Sequence, residues 1–183
     1  IEKVDVKHQL YSQIDKVRKS NSIVSSNTST IPLSVLTEAM SEKMKSDFCI
    51  THFFNPVRFM RLLEIVKSDE FDKNKMKILH SFCKDELGKG IIYCNDSPGF
   101  IGNRVGVFSI QVAQYEALER KLPVEIADAI FSRPFSIPKT GCFGLYDLIG
   151  IDLMKDVLAS FKKELQDDDP FITSGVVETH PVV

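Results

Sequence analysis

The sequence lacks three features that mark particular classes of protein: an excess of charge of one sign, a long apolar run and a secretion leader. Its 23 basic and 25 acidic side chains leave a net charge of −2, whereas a nucleic-acid-binding protein needs a basic face for the phosphate backbone. No apolar run approaches the roughly 20 residues of a membrane helix. The first residues show no basic segment that leads into an apolar one. We therefore expect neither nucleic acid nor a membrane as a partner.

Cysteine is scarce, and its spacing excludes common uses of the residue. The chain has four cysteines and four histidines, with no C-x-x-C pair and no spacing typical of metal ligands. We therefore predict no metal site, and reduced, buried thiols in a cytoplasmic protein. The cysteines are Cys49, Cys83, Cys94 and Cys142.

An initiating methionine is also absent. Residues 1–4 are short and apolar-leaning, which is typical of the end of a strand. The pattern predicts a chain that begins inside a domain, so that an N-terminal portion of that domain is missing.

The apolar pattern changes once along the chain. Up to Cys94, short apolar runs typical of strands alternate with helical periodicity, which favours a sheet with helices packed on it. Strands are expected at residues 22–25, 48–51, 61–67 and 91–94, and helices at residues 7–18, from residue 32 and from residue 68 to about residue 87. After Asp96 the apolar residues recur at helical spacing, and no further strand is expected. We predict an α/β domain over residues 1–96 and an all-helical domain over residues 97–183.

His52 and Glu64 are the first candidates for chemistry. Each lies on or beside an expected strand, and Glu64 is the only charge in the apolar run Leu62–Val66. If the two strands are neighbours, the carboxylate can bind one ring nitrogen and leave the other free as a general base. The alternatives are a structural histidine beside aromatic residues and a glutamate that faces solvent.

Two further polar sites follow from the same pattern. The segment Ser26–Thr30 comes directly after a strand, and ligands bind at strand ends in open α/β sheets. An ordinary turn with a helix cap explains this segment equally well. Asn103 falls in the first turns of a helix that Pro98 and Gly99 introduce, where its amide can reach toward the sheet edge. The alternative for Asn103 is a polar residue on an exposed helix face.

Five segments, taken together and in this order, resemble the 3-hydroxyacyl-CoA dehydrogenase family. They are Ser26–Ser29, His52–Pro56, Leu63–Val66, Ser97–Arg104 and Ile137–Asp147. The likeness covers residues 1 to about 170. The last segment is similar to the dehydrogenase part of long bacterial β-oxidation proteins that also carry an enoyl-CoA hydratase region.

The resemblance implies both a fold and an activity. The fold is a partial Rossmann-type NAD-binding domain followed by a helical C-terminal domain, through which two copies form a homodimer. The cofactor is NAD, and the substrate is an acyl-CoA. The activity is oxidation of (S)-3-hydroxyacyl-CoA to 3-ketoacyl-CoA in fatty acid β-oxidation.

The resemblance also implies roles for seven residues. His52 is the base that takes the proton of the substrate 3-hydroxyl, and Glu64 pairs with it. Asn103 hydrogen-bonds near the substrate carbonyl and helps to hold His52. Ser29 contacts the substrate hydroxyl region and the nicotinamide. Three cofactor-binding residues are expected besides Ser29: Glu2, Lys7 and Asn55.

One family feature is missing from this sequence. No G-x-G-x-x-G segment follows a strand, although the family places this pyrophosphate-binding loop at its N-terminus. We therefore expect the isolated chain to bind NAD poorly and to turn over slowly or not at all. An inactive or split-gene remnant that keeps only the dimerisation surface is the alternative function. A sister dehydrogenase acting on a sugar acid or a short hydroxybutyryl-CoA is a further one.

Overall fold

The computed structural model describes residues 3–132 and 140–176, and the chain divides into two compact units, Ile1–Ile101 and Gly102–Val183. The first unit contains a mixed sheet with helices, and the regular structure described in the second unit is helical. The predicted order of an α/β part followed by an all-helical part is thereby confirmed. None of the described helices combines the length and apolar character needed to cross a bilayer.

In the described part of the first unit, the sheet has four strands in the order β1-β2-β3-β4. The pair β1–β2 is parallel, β2–β3 is antiparallel and β3–β4 is parallel. The strands are β1 (Val24–Ser26), β2 (Phe48–Phe53), β3 (Leu62–Lys67) and β4 (Gly90–Cys94). The helices of this unit are α1 (Val4–Val17), α2 (Leu33–Thr37), α3 (Glu42–Lys45) and α4 (Lys73–Ser81).

The two central strands are buried on both faces, which explains their nearly continuous apolar sequences. On one face Phe48, Ile50 and Val66 pack in a cluster with Tyr11 of α1 and Leu36 of α2. The alternate residues of the same strands pack on the other face, in a cluster formed by Cys49, Leu63, Ile65, Phe71, Met76 and Cys83. The side chains of a strand alternate between the two faces of the sheet. The two apolar clusters therefore determine which face each residue of β2 and β3 points to.

The first helix begins earlier than predicted. Residues 1–4 were expected to end a strand, but α1 already begins at Val4, while Ile1 and Glu2 lie outside the described residues. Asp5 lies in the first turn, where a negative charge favours the helix N-terminus. Val4 also packs against the cluster that contains Tyr11. The strand interpretation of Val4 was therefore wrong because tertiary packing extends the helix to it.

The helix predicted from residue 68 to about residue 87 is shorter and changes type. It begins at Lys73, because the Asp72 side chain accepts hydrogen bonds from the N–H groups of Asn74 and Lys75 and caps the helix there. After Ser81 it continues as one π-helical turn, Phe82–Glu86. Gly88, with φ of 65°, then reverses the chain into β4.

The second unit is built on five helices in its described part. They are α5 (Gly102–Glu119), α6 (Val124–Ser132), α7 (Phe143–Ile149), α8 (Ile151–Glu164) and α9 (Pro170–Thr173). Their core includes Ile110, Tyr146, Leu158, Phe161 and Phe171. The helical prediction after Asp96 is correct for α5, but the apolar pattern does not coincide with its buried face, because Val107 and Ile110 are buried whereas Ile101 and Val105 are exposed.

The compact units divide between Ile101 and Gly102, whereas the sequence pattern placed the boundary at residue 96. Two contacts explain why the intervening residues stay with the sheet. Asp96 accepts hydrogen bonds from the N–H groups of Leu33 and Ser34 and so caps α2. Ile101 donates its N–H to the Glu64 carboxylate on β3.

Candidate active site

The pairing of β2 with β3 places His52 directly opposite Glu64. Directly opposed residues point to the same face with neighbouring side chains, and the His52 Nδ1 atom lies 2.7 Å from Glu64 Oε2. His52 is 6% exposed and Glu64 is fully buried. The structure therefore brings these two candidates into contact and excludes the alternative in which Glu64 faces solvent.

The second carboxylate oxygen of Glu64 is also engaged. Oε1 accepts the backbone N–H of Ile101 at 2.9 Å and contacts the Cys94 thiol, with the sulfur at 3.6 Å. Burial, the Glu64 charge and this hydrogen bond raise the pKa of Cys94 to about 11, so the thiol keeps its proton and donates. A buried carboxylate needs such donors, and here they come from β4 and from the turn that follows it.

Aromatic rings confine the His52 imidazole. The Phe54 ring centroid lies 4.5 Å from it, and the Phe100 centroid lies 5.7 Å away in an edge-on arrangement. Phe100 has a φ of 47°, which is uncommon outside glycine. This left-handed residue allows the turn to direct both its own ring toward His52 and the next N–H toward Glu64.

The geometry defines what His52 can do chemically. A carboxylate only accepts hydrogen bonds, so Nδ1 is the protonated nitrogen that donates to Glu64. Nε2 makes no hydrogen bond to any of the residues that the structure describes. The imidazole is therefore held in the tautomer whose Nε2 lone pair can accept a proton.

The polar segment after β1 lies at the same sheet edge, because β1 and β2 are parallel and His52 is near the carboxyl end of β2. Asn27 Oδ1 accepts the N–H of Phe53 at 2.9 Å and so joins this segment to the end of β2. Thr28 Oγ1 accepts the N–H of Ile31, which accounts for part of the segment as an ordinary turn. Ser29 lies half-buried between these contacts and α2.

The other candidates are spread over separate elements. Asn55 is exposed on the loop after β2, and Lys7 is half-buried on α1. Asn103 is half-buried in the first turn of α5, within the second unit. Glu2 lies outside the described residues. The roles expected for these four residues stay predictions.

Sequence reasoning missed several groups around His52. The sequence signal for the Ile101 N–H and the ring of Phe100 is the turn sequence Pro98-Gly99. This turn predicts the start of a helix but does not indicate these two contacts. Lys89 is 8% exposed and bonds two carbonyl groups of the loop after β2. Its only sequence signal is its place between two glycines, a pattern typical of the end of a helix.

The comparisons with known proteins cover both units. Residues 1–97 match the model of the 3-hydroxyacyl-CoA dehydrogenase NAD binding domain, and residues 99–180 match that of the 3-hydroxyacyl-CoA dehydrogenase C-terminal domain. The chain belongs to the 3-hydroxyacyl-CoA dehydrogenase family. This confirms the resemblance carried by the five sequence segments.

Two relatives in this family are considerably longer than the chain. A Rickettsia felis protein named "Putative fatty acid oxidation complex trifunctional enzyme" is 43% identical over 171 residues, which is 93% of this chain and 24% of the relative. The mitochondrial hydroxyacyl-coenzyme A dehydrogenase of Mus musculus is 31% identical over 93% of this chain and 52% of its own length. The chain thus spans between about a quarter and about half of these two proteins.

Solved structures show the same fold. The crystal structure of FadB2 from M. tuberculosis covers all of this chain with a TM-score of 0.82 and 26% identity, and 61% of that protein is matched. That of (S)-3-hydroxybutyryl-CoA dehydrogenase PaaH1 from Ralstonia eutropha covers 90% of this chain with a TM-score of 0.78 and 31% identity, and 56% of it is matched. The Rossmann-type assignment of the first unit and the helical assignment of the second agree with both.

Proposed function

We propose that this protein is an NAD-dependent 3-hydroxyacyl-CoA dehydrogenase that oxidises (S)-3-hydroxyacyl-CoA to 3-ketoacyl-CoA in fatty acid β-oxidation. The observation that carries the proposal is the buried His52–Glu64 pair, whose Nε2 makes no hydrogen bond to any described residue. Oxidation of a secondary alcohol needs a base for the hydroxyl proton, and this pair supplies one.

In this mechanism His52 Nε2 takes the proton from the substrate 3-hydroxyl. The imidazolium formed is stabilised by the Glu64 carboxylate at 2.7 Å, in a water-poor environment where such an interaction is strong. Because the Ile101 N–H fixes the other oxygen of Glu64, the carboxylate cannot rotate away when the proton arrives. His52 is thereby held in one orientation.

The residues near this edge fit the nicotinamide end of NAD. Ser29 and Asn55 bring a hydroxyl and a carboxamide, which can donate to and accept from the nicotinamide amide group. Bound NAD supplies the hydride acceptor for C3 of the substrate. Lys7 and Glu2 complete the cofactor-binding set that we propose, and the pyrophosphate requires the glycine-rich loop that this sequence does not contain.

Asn103 and Ser29 are assigned to the substrate. The Asn103 amide is proposed to donate to the thioester carbonyl and to help hold His52, while the Ser29 hydroxyl contacts the 3-hydroxyl. Both side chains are half-buried, which is suitable for a contact completed by a ligand. Such donors stabilise charge that develops on substrate oxygen in the reverse reaction.

We also propose a homodimer formed through the helical unit. Large apolar side chains of this unit are exposed, although burial of such groups stabilises proteins: Val124, Ile126, Ile130, Leu148, Ile151 and Leu153. The same proposal includes a cytoplasmic location, which is consistent with four unpaired cysteines. It also includes a place within a longer β-oxidation multienzyme protein.

The test uses the chain alone and the chain fused behind the glycine-rich N-terminal segment of a family member. Acetoacetyl-CoA reduction is followed by loss of NADH absorbance, with His52→Gln in the fusion as the control. We expect turnover by the fusion, little by the chain alone and none above background by the control. A folded fusion that is no faster than its His52→Gln variant would overturn the proposal and favour the inactive remnant. Turnover by the chain alone would overturn only the need for the missing loop.

A further inference from the structure

The side-chain ammonium group of Lys89 is buried, and no carboxylate of the described residues forms an ion pair with it. It is 8% exposed, and among the described residues its Nζ makes no ion pair. Nζ instead donates to the carbonyl oxygens of Val57 at 2.5 Å and Met60 at 2.8 Å, and it lies 5.7 Å from the centroid of the Phe53 ring. Burying a charge is costly, so an arrangement of this kind requires the surrounding dipoles to be oriented toward it.

The two carbonyl groups belong to the loop that connects β2 to β3. The loop also turns on itself, because the N–H groups of Phe59 and Met60 both donate to Pro56 O. Beside Lys89, the Gly90 N–H donates to Arg61 O at 2.7 Å. The start of β4 therefore holds the far end of this loop with one side chain and one backbone group.

The near end of the same loop forms one wall of the His52 site. Phe54, its first residue, lies 4.5 Å from the His52 ring between centroids. Asn55, the next residue, is exposed and is proposed to bind the nicotinamide. Because β3 and β4 are parallel and β2 is antiparallel to β3, Lys89 approaches the sheet at the edge where β2 ends.

We propose that Lys89 is a positioning residue of the active site. By drawing the carbonyl groups of Val57 and Met60 inward, it closes the loop after β2 and keeps Phe54 and Asn55 in place beside His52. Lys89 contacts neither His52 nor a reactant in this role, and the role rests on the proposed dehydrogenase function. The loop geometry itself is independent of that function.

The test compares Lys89→Met, which keeps the length of the side chain without its donors, with Lys89→Arg, whose fork can reach two carbonyl groups. Lys84→Met is the matched control, because Lys84 is exposed on the preceding π-helical turn. All variants are first compared with the parent chain by circular dichroism, so that a variant that fails to fold is recognised. If Lys89→Met does not fold, Lys89→Gln takes its place.

Two readouts need only the 183-residue chain. Limited trypsin digestion reports opening of the loop, because Arg58 is exposed within it; we expect cleavage after Arg58 to be about tenfold faster in Lys89→Met and unchanged in Lys84→Met. The NMR signals of the His52 ring report the Phe54 ring current, and we expect them to move in Lys89→Met and to return toward the parent position in Lys89→Arg. Unchanged cleavage and unchanged His52 signals in folded Lys89→Met would overturn the proposal.

The kinetic readout uses the active fusion. Misplacement of a wall of the site should reduce kcat about 10- to 100-fold while KM for acetoacetyl-CoA changes by less than about threefold. A purely structural lysine would lower the unfolding temperature and leave kcat intact, which would overturn the positioning role. If the parent fusion has no turnover, the dehydrogenase proposal fails, whereas the digestion and NMR results still decide whether Lys89 holds the loop.

Discussion

His52 and Glu64 contact each other across two antiparallel strands, with Nδ1 and Oε2 separated by 2.7 Å and Glu64 completely removed from solvent. The pair shares a face of the sheet with Ile50 and Val66, so its position is set by the same alternation that builds the core. A catalytic pair supported by central strands is more rigid than one placed on loops. The chemistry proposed for this protein therefore depends on strand register, because a slip of β3 by one residue would turn Glu64 to the opposite face of the sheet.

Replacing Glu64 with Gln should remove both the negative charge and the acceptor that hold His52 protonated on Nδ1. The amide still fills the space and its oxygen can still accept the Ile101 N–H, so we expect the variant to fold, but its NH2 group then faces Nδ1 and favours the tautomer that is protonated on Nε2. It no longer stabilises an imidazolium, and we expect kcat of the active fusion to fall about 10²-fold or more with little change in KM. Glu70→Gln, at an exposed position, is the control. Equal kcat values for the two variants would show that the Glu64 charge has no part in catalysis.

The elements around this pair could largely be predicted from the sequence. Continuous apolar runs are typical of strands buried on both faces, and β2 and β3 have this pattern. A single carboxylate inside such a run, together with a histidine at the end of the other, indicated their contact. The prediction was correct because a buried carboxylate needs a hydrogen-bonding or oppositely charged partner.

The groups that complete the site could not be predicted in this way. The Ile101 N–H reaches Glu64 only because Phe100 adopts a positive φ, and nothing in the residue type of Phe100 signals this. Lys89 bonds carbonyl groups roughly 30 positions away, and backbone acceptors carry no sequence signature. Periodicity describes one element at a time, whereas these contacts depend on how separate elements are packed.

A buried ion cluster at the opposite end of β2 should dominate the acid sensitivity of the first unit. Asp47 is 3% exposed and pairs with Arg18 at 2.7 Å and with Lys75. Burial alone would raise the pKa of Asp47, but the hydrogen bonds and charges of Lys75 and Arg18 outweigh it and keep the pKa below 3.8. Because the folded pKa is lowered, the stabilisation is present above about pH 4 and is lost as the pH falls through the folded value.

Asp47→Asn should therefore lower the free energy of unfolding by about 3 kcal/mol near neutral pH, since it removes the ion-pair partner of Lys75 and leaves Arg18 with Asp15 alone. The difference from the parent chain should persist down to about pH 5 and shrink below about pH 4. Urea unfolding at a series of pH values measures it. Glu42→Gln breaks the exposed pair with Lys45 and should change the midpoint little. A pH-independent loss in Asp47→Asn would contradict an origin in the ionised carboxylate.

The cysteines should be unreactive while the chain is folded. Burial raises the pKa of Cys49 to about 12, and burial together with Asp128 does the same for Cys142. With a pKa of about 11, Cys94 is only about one part in a thousand thiolate at about pH 8. We expect iodoacetamide to label each of these thiols at least about 10²-fold faster in urea than in buffer, as followed by mass spectrometry. Rapid labelling of Cys94 in the folded chain would contradict its contact with Glu64.

The stability of the chain should be especially sensitive to a methyl group added at Gly141, because this glycine lies directly beside Asp128. Asp128 accepts the N–H groups of Phe143 and Gly144, at 2.7 and 3.1 Å, and so caps α7. To do this its side chain passes directly beside Gly141, where an added Cβ would lie 2.3 Å from Asp128 Cβ. Gly141 also has a φ of 71°, which other residues rarely adopt. The cap and the glycine therefore depend on each other, although 13 positions separate them.

We accordingly expect Gly141→Ala to lower the free energy of unfolding by about 2 to 4 kcal/mol, through backbone strain and displacement of the cap. Gly106→Ala is the matched comparison: Gly106 lies inside α5, no described atom apart from its chain neighbours and the adjacent backbone of α5 lies within 4 Å of an added Cβ, and its φ is not positive. That change should stabilise the chain by about 0.5 to 1 kcal/mol, because alanine favours a helix interior over glycine. The same chemical substitution thus has opposite signs at two glycines of one unit. Urea unfolding of both variants measures the difference, and two values of the same sign would show that Asp128 does not pass as close to Gly141 as the contact requires.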